Sequence, residues 1–414
     1  MVARAATLVL VPLLSIIGHE IWEMTGHLRY KSSPPDPTKT MRAVVFSKHG
    51  SAKDVLRIVD KHPQPLFPAS PNMLIVKVVG AALNPVDFKM RRNPQPDALI
   101  PKPKIPGYDV SGVVVSAGAG SHGFKMGDHV YGMLPIIGNP WGSLAEYVVA
   151  DASIFAKAPT SIPLVDAAAL PLVGLTVMQV FDAAGYVAPP PVMVRSQPSS
   201  SSSADSAAPP KSALVQAASG GVGSFAVQYL RHVLGFEHVL GTTSAANAAR
   251  VTELGATKTI DYRHERFEAV ADEMGGVDVV NDPMAWSYME RTISDGAQGG
   301  GRTLRAGGKY CHIMSTDWAP SGTELDPLTA FVGPIKKWQS RLMRLIRRDA
   351  PQVFSSAVQP DGARLATLAR HVDAGHIRPN IDVYYDGLER VVEAFEYLET
   401  GHAKGKVVVR VADM

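Results

Sequence analysis

The stretch Ala213-Leu-Val-Gln-Ala-Ala-Ser-Gly-Gly-Val-Gly223 constrains this chain more than any other. A short apolar run breaks into glycines and resumes with Val222, Phe225, Ala226, Tyr229, Leu230 and Val233 at helical spacing. That pattern predicts a strand, a tight turn and a helix packed back on the strand. Such a turn needs small residues when the backbone must come within hydrogen-bond reach of a pyrophosphate, whose charge rests on the free N–H groups and positive dipole of the helix start. Gly220 and Gly223 hold the second and third glycine positions of G-x-G-x-x-G, with Ala218 in place of the first, and Ser219, Gly221 and Val222 complete the expected cradle. An ordinary strand-to-helix turn has the same local signature, so the neighbouring segments decide the reading.

Length and composition leave room for more than one domain: 414 residues, 46% hydrophobic and 19% charged, suit a soluble chain of two or three. A net charge of +3, with basic residues spread out except near 336–348, gives no footprint for nucleic acid, and none is expected as a partner. The single cysteine, Cys311, excludes an intramolecular disulfide framework and a cysteine-rich zinc site. The N-terminus is different. From Ala5 to Gly18 no side chain is charged, and Leu8, Val9, Leu10, Val11, Leu13, Leu14, Ile16 and Ile17 crowd the run. As a helix rising ~1.5 Å per residue it covers about 21 Å, short of the ~30 Å hydrocarbon core. Four readings stay open: a cleaved targeting segment, a short anchor extended through Ile21 and Trp22, a helix lying on a membrane or partner, and an extra helix docked on the fold. Gly18-His19-Glu20 imitates a metal-site fragment but has no partner ligands.

Ser32 to Lys39 is rich in proline and reads as a linker, so the folded chain is expected to start at Met41 with the strand Arg42–Phe46. Further short strands are predicted at Leu74–Val79, Val110–Val115, His129–Met133 and Leu144–Val149, making 41–165 a β-rich domain. Residues 166–188 read as a helical lead-in, and the Pro/Ser-rich stretch 189–211 as a disordered insertion that buries no core. After the glycine turn come strands at Val239–Ser244, within Leu254–Arg263 and at Gly276–Asp282, while Thr303–Met314 reads as helix end, turn and fifth strand. Ile335–Arg348 reads as a basic amphipathic helix with Trp338, Leu342 and Leu345 along one edge, either solvated or attached to an anionic membrane or acceptor site.

Three segments ahead of the glycine turn carry a family likeness: Gly80–Arg91 with Asn84-Pro-Val-Asp87, Ile105-Pro-Gly-Tyr-Asp-Val-Ser-Gly112, and Gly127-Asp-His-Val-Tyr-Gly132. In this order they resemble the medium-chain dehydrogenase/reductase superfamily over about 41–414, and specifically its zinc-free quinone-oxidoreductase branch. The ending Gly401–Arg410, the segment Gly142-Ser-Leu-Ala-Glu-Tyr147 and the leader are most similar to the mitochondrial reticulon-interacting oxidoreductases. The resemblance implies an α/β chain. A GroES-like domain at 41–165, completed by about 376–414, would join a doubly wound Rossmann domain with a parallel sheet at 166–375. Zinc-dependent members carry a cysteine near Asn84 to Asp87 and Gly-His-Glu where this chain has Gly107-Tyr108-Asp109, so no metal is expected. Without one, hydride delivery to an already electrophilic acceptor remains feasible.

An acidic residue at the end of the second strand would bond the ribose hydroxyls of NAD; Thr242, Thr243 and Ser244 stand there and favour NADPH. Asn247 occupies the place where relatives set a basic residue against the 2′-phosphate, and Arg250 follows one turn later. The resemblance further puts Thr176 beside the nicotinamide, Tyr262 at the adenosine end and Asp282 after the fourth strand, followed by Pro283-Met-Ala-Trp286 in place of the usual glycines. Asn84 and Asp87 are expected to orient the nicotinamide end, with Lys406 supporting the same cleft. Each also has a plainer reading, such as a threonine bonding its own helix or an Asn-Pro-Val-Asp turn. The expected function is an NADPH-dependent oxidoreductase passing hydride to a quinone or activated enone. Mitochondria, membrane contact through residues 5–22 and a homodimer complete the expectation. The alternatives are an enoyl-thioester reductase using Tyr108 or Tyr131 as acid, and a membrane-associated, non-catalytic scaffold of the same fold.

Overall fold

The computed structural model describes residues 35–67, 70–94, 97, 100–189, 211–284, 286–293, 302–313 and 350–412. The hydrophobic leader, all but the ends of the Pro/Ser-rich insertion and the basic helix expected at 335–348 lie outside the described residues.

In the first half, β1 (Pro35–Val45) and β2 (Arg57–Pro65) form an antiparallel ribbon. Next come β3 (Met73–Leu83), helix α1 (Pro85–Arg92), β4 (Asp109–Ala117), β5 (His129–Met133), β6 (Tyr147–Asp151) and β7 (Phe155–Lys157). The start differs from expectation. The chain is already paired at Pro35, with Pro35 opposite Pro65, so the proline-rich stretch is half strand rather than linker up to Met41. A two-stranded ribbon tolerates proline because few of its N–H groups are needed for a ladder.

Helix α2 (Pro171–Ala183) then leads to β8 (Ser212–Val215), helix α3 (Gly221–Gln228), β9 (His238–Thr243), helix α4 (Ala248–Glu253) and β10 (Lys258–Asp261). Strands β11 (Val277–Asp282), β12 (Leu304–Ile313) and β13 (Gln352–Ser356) complete a six-stranded sheet in the order β10-β9-β8-β11-β12-β13, every pairing parallel. This is the doubly wound order, and it reverses direction between β8 and β11, leaving a crevice at their carboxyl ends. All four residues of β8 are buried, as a central parallel strand covered on both faces requires. Residues 304–308 form no helix end but the start of β12. Its ladder slips between Val277–Leu304 and Val279–Lys309, and Gly307 at φ +71° takes up the bulge.

After helix α5 (Gly362–Asp373), the chain returns to the first sheet with β14 (Ile381–Asp386), helix α6 (Val391–Glu399) and β15 (Lys406–Arg410). The order there is β14-β15-β3-β4-β5-β7, with β6 also on β3, and Val407 of β15 faces Leu83. The largest core runs between the two sheets. Helix α2 is buried from Pro171 to Met178 and packs Leu175, Val177 and Phe181 against Ala213, Val215 and Phe225 and against Leu365 and Leu368 of α5. A helix apolar on all sides has to be interior. Each such large side chain fully removed from water stabilises the fold by ~1.5–3 kcal/mol.

Candidate active site

Beyond β8, the Gln216 N–H donates to the Asn281 carbonyl of β11 and the chain turns at Ala217, whose φ is +49°. The left-handed residue of the turn is thus Ala217, one position before Ala218. Ala218 is packed, its N–H donating to the Thr242 carbonyl at 2.9 Å. A left-handed alanine is strained by ~1–2 kcal/mol, which glycine avoids at some cost in chain entropy. Ala217→Gly is thus expected to stabilise the protein by about 0.5–1 kcal/mol in thermal denaturation, and a lowered melting temperature would contradict the turn geometry.

The three glycines differ in what demands them. A Cβ on Gly223 would lie 2.1 Å from the Ala217 carbonyl oxygen, so α3 could not pack onto the turn. At Gly220 the nearest atom would be the same oxygen at 3.4 Å, an ordinary contact, so nothing within the protein excludes a side chain. Gly221 faces the Lys406 Cδ at 3.2 Å and the Val173 Cγ1 at 3.7 Å, which makes it the meeting point of the turn, β15 and α2. No side chain caps the start of α3, and Val222 beside it is half-buried. The uncapped N–H groups suit an anion.

Lys406 opens the first-domain side of the junction. Its Nζ donates to the Asn84 Oδ1 and, at 2.9 Å, to the Asp109 Oδ2, with lysine and aspartate both buried. Asn84 Nδ2 donates to the same Asp109 oxygen at 2.9 Å. The other oxygen, Asp109 Oδ1, accepts the Leu172 N–H at 2.7 Å and so caps α2 just after Pro171. Asp87 Oδ2 accepts the Asn84 N–H at 2.7 Å and its Oδ1 the Gly107 N–H at 3.1 Å. Asp87 therefore grips backbone, and Asn84 together with Lys406 presents the polar face. Asp109 was not singled out by sequence reasoning as a site residue, although a carboxylate beside Tyr108, in the place of Gly-His-Glu, was its signal.

At the other end, the Asn247 Nδ2 meets the Ser219 Oγ at 3.4 Å, tying the turn to the segment after β9. Ser244 is partly buried at the head of the turn Ala245–Asn247, without a side-chain cap bond. The Arg250 Nη2 donates to the Ile381 carbonyl at 2.9 Å, linking α4 to β14. Tyr262 is 54% exposed, its ring near the Arg263 guanidinium rather than in a strand-end core. Thr176 is buried and its Oγ1 donates to the Leu172 carbonyl at 2.7 Å, the helix-bonded arrangement. Asp282 accepts the Met284 N–H at 2.7 Å and the Tyr310 hydroxyl; burial pushes its carboxyl up to about 6. The Gln216 Nε2 and Thr243 Oγ1 at the ends of β8 and β9 are buried without partners. Sequence reasoning sets Thr243 at the nucleotide end but does not single out Gln216, and that the two groups are orphaned is visible only in three dimensions.

Electrostatics set the first-domain side apart. Burial pushes Asp87 up to about 7 and Lys104 down to about 7; the Asn84 N–H and the Lys406 and Lys104 charges pull Asp87 back down. The Lys104 Nζ donates to the Asn139 carbonyl at 2.6 Å and lies 5.2 Å from the Tyr108 ring centre. Tyr131 is no candidate acid, for its hydroxyl donates to the Leu365 carbonyl at 2.6 Å in the contact with α5. Among the described residues no three His, Cys, Asp or Glu side chains converge on a point suited to a metal, and no helix is long and apolar enough to cross a membrane.

Comparison with known proteins matches residues 70–160 to the alcohol dehydrogenase GroES-like domain and 254–409 to the zinc-binding dehydrogenase family. The chain is 32% identical to the NADPH-dependent alkenal/one oxidoreductase, chloroplastic, of Arabidopsis thaliana, over 90% of this chain and 80% of that protein. It is 30% identical to the mitochondrial NAD(P)H oxidoreductase RTN4IP1 of Homo sapiens, over 92% of each. The quinone oxidoreductase structure from Coxiella burnetii superposes with a TM-score of 0.66 at 26% identity, over 90% of this chain and all of that one.

Proposed function

Since this chain belongs to the medium-chain dehydrogenase/reductase family, we propose that it is an NADPH-dependent oxidoreductase delivering hydride to a quinone or an α,β-unsaturated carbonyl. The observation that carries the reading is the convergence at Gly221. There the glycine turn, the Lys406 stem and Val173 of α2 meet within ordinary contact distance of one backbone position. The names of the relatives supply the class: alkenal/one and quinone oxidoreductases, one of them NADPH-dependent.

The residues fit the cofactor. Gly220 has no internal reason to be glycine, α3 starts uncapped, and Gln216 Nε2 and Thr243 Oγ1 lack partners at the strand ends where a nucleotide lies in a doubly wound sheet. Ser219, Gly220, Gly221, Val222 and Gly223 would hold the pyrophosphate, with Ser244, Arg250 and Tyr262 at the adenosine end. Asn84, Lys406 and Thr176 would flank the nicotinamide. When bound, the cofactor supplies a hydride. The protein's own contribution is positioning: Asp109 fixes Lys406, Asn84 and the head of α2 in one network, so the two sheets are held in register around the reacting atoms. A mitochondrial setting follows the human relative's name; the plant relative is named chloroplastic, so fractionation of tagged full-length chain decides between them.

The test is loss of reduced-nicotinamide absorbance by the purified full chain, with and without quinone or enone. Acceptor-dependent oxidation is expected with NADPH; none with either nucleotide would favour a scaffold. Arg250→Ala refines it. A lost charge-assisted bond to the 2′-phosphate removes ~1.5–3 kcal/mol, so NADPH should weaken by roughly tenfold or more and NADH hardly at all. Equal losses would leave Arg250 as a strut to Ile381 only.

A further inference from the structure

Asn281 stands on the last rung of the ladder between β8 and β11. It faces Val215, and its carbonyl accepts the Gln216 N–H at 3.0 Å just before the chain turns at Ala217. On its other side it faces Cys311 of β12. The sheet order reverses between β8 and β11, so this rung borders the crevice where a nucleotide lies. The Asn281 side chain is wholly buried, and neither its Oδ1 nor its Nδ2 has a hydrogen-bond partner among the described residues. Its neighbour differs: Asp282 is spent inside the protein, on the Met284 N–H and the Tyr310 hydroxyl. A buried amide with both groups empty is costly, so its presence calls for a functional reason. We propose that the Asn281 side-chain amide pairs with the carboxamide of the nicotinamide ring and so fixes which way the ring lies, a role that rests on the cofactor reading above.

Strand alternation sets the side. Val279 and Asn281 point to one face of the sheet, with Val215 and Cys311 beside them, and α2 and α3 cover that face. These are the two helices whose heads meet at Gly221, where Val173 and Lys406 approach. Asn281 therefore lies on the side of β8 away from β9, while Ser244 and Arg250 follow β9 itself. A dinucleotide stretched across the glycine turn puts its adenosine over β9 and its nicotinamide over β11. The chemistry matches as well. A primary carboxamide offers an N–H donor and a carbonyl acceptor in one plane, and an asparagine amide with both groups empty can meet it in two parallel hydrogen bonds. A phosphate, which carries acceptors only, would leave the Asn281 Oδ1 empty.

Asn281→Leu keeps the branched shape of the side chain and removes both polar groups. Calorimetric titration of the full chain should show NADP+ bound roughly tenfold more weakly, the scale of a lost hydrogen-bonded pair. The 3-acetylpyridine analogue of NADP+ separates recognition from packing, because its acetyl group keeps the carbonyl and lacks the N–H donors. Wild type should bind the analogue about fivefold or more weaker than NADP+, whereas Asn281→Leu should bind the two alike. Asn281→Ala cannot overfill the layer between sheet and helices, and it should lose the discrimination too. Discrimination that persists in either variant overturns the proposal and leaves the carboxamide to backbone groups. A wild type that binds NADP+ tightly and the analogue equally well overturns the proposal alone, with the cofactor reading intact. A wild type that binds neither nucleotide overturns both.

Discussion

Lys406→Met is expected to destabilise the protein by about 3–5 kcal/mol, the cost of leaving a buried charge without its partner. Methionine keeps the apolar stem that packs near Gly221, so the loss isolates the ammonium. Asp109 would then be an anion with only the Asn84 and Leu172 N–H groups around it, in a site where neither aspartate nor lysine reaches water. Adding Asp109→Asn to Lys406→Met should restore at least half of the stability, because no net charge remains buried. Denaturant midpoints of the wild type and the two variants measure both quantities. A loss below about 1 kcal/mol for the single variant would mean the pair is solvated in solution, and the rigid bridge between the sheets would have to be abandoned.

Gly220→Val should do the reverse, leaving the fold intact while weakening NADPH at least about a hundredfold. Its Cβ meets nothing closer than 3.4 Å, so no core group has to move. The branched side chain would instead stand over the uncapped start of α3 and deny a pyrophosphate one or two charge-assisted bonds of ~1.5–3 kcal/mol each. Gly223→Ala is the control. With 2.1 Å to a backbone oxygen it should destabilise by ~1–3 kcal/mol whatever the ligand does. Calorimetric titration combined with melting curves separates the two; tight NADPH binding by the Gly220 variant would take the glycine turn out of the site.

The doubly wound sheet was legible because β8, β9 and β11 are apolar runs set between glycines and polar turns, and because a parallel strand must be apolar on both faces. Strand starts were less so. Pro35 reads as linker since its pairing with Pro65 is set thirty residues away, and the slip at Gly307 hides β12's beginning for the same reason. At the site, the motifs led to Asn84, Asp87 and Lys406 but not to how labour divides among them. Asp87 turned out to hold backbone, and Asp109, in the place of a zinc-site acid, became the centre of the network. Thr176 and Arg250 were found with partners inside the protein, Leu172 and Ile381, which no spacing rule announces. Local patterns report turns and strands; a network spanning residues 84 to 406 is a property of the closed fold.

The central claim is that hydride passes from NADPH to the acceptor at the junction of the two sheets. The most direct measurement uses NADPH deuterated at C4 in each of its two stereochemical forms, the full chain and methyl vinyl ketone, with the product read by mass spectrometry. Deuterium should appear at the β-carbon from one form only, since a fixed nicotinamide offers one face. Product carrying no label from either form, or label from both equally, would contradict direct transfer in a positioned site.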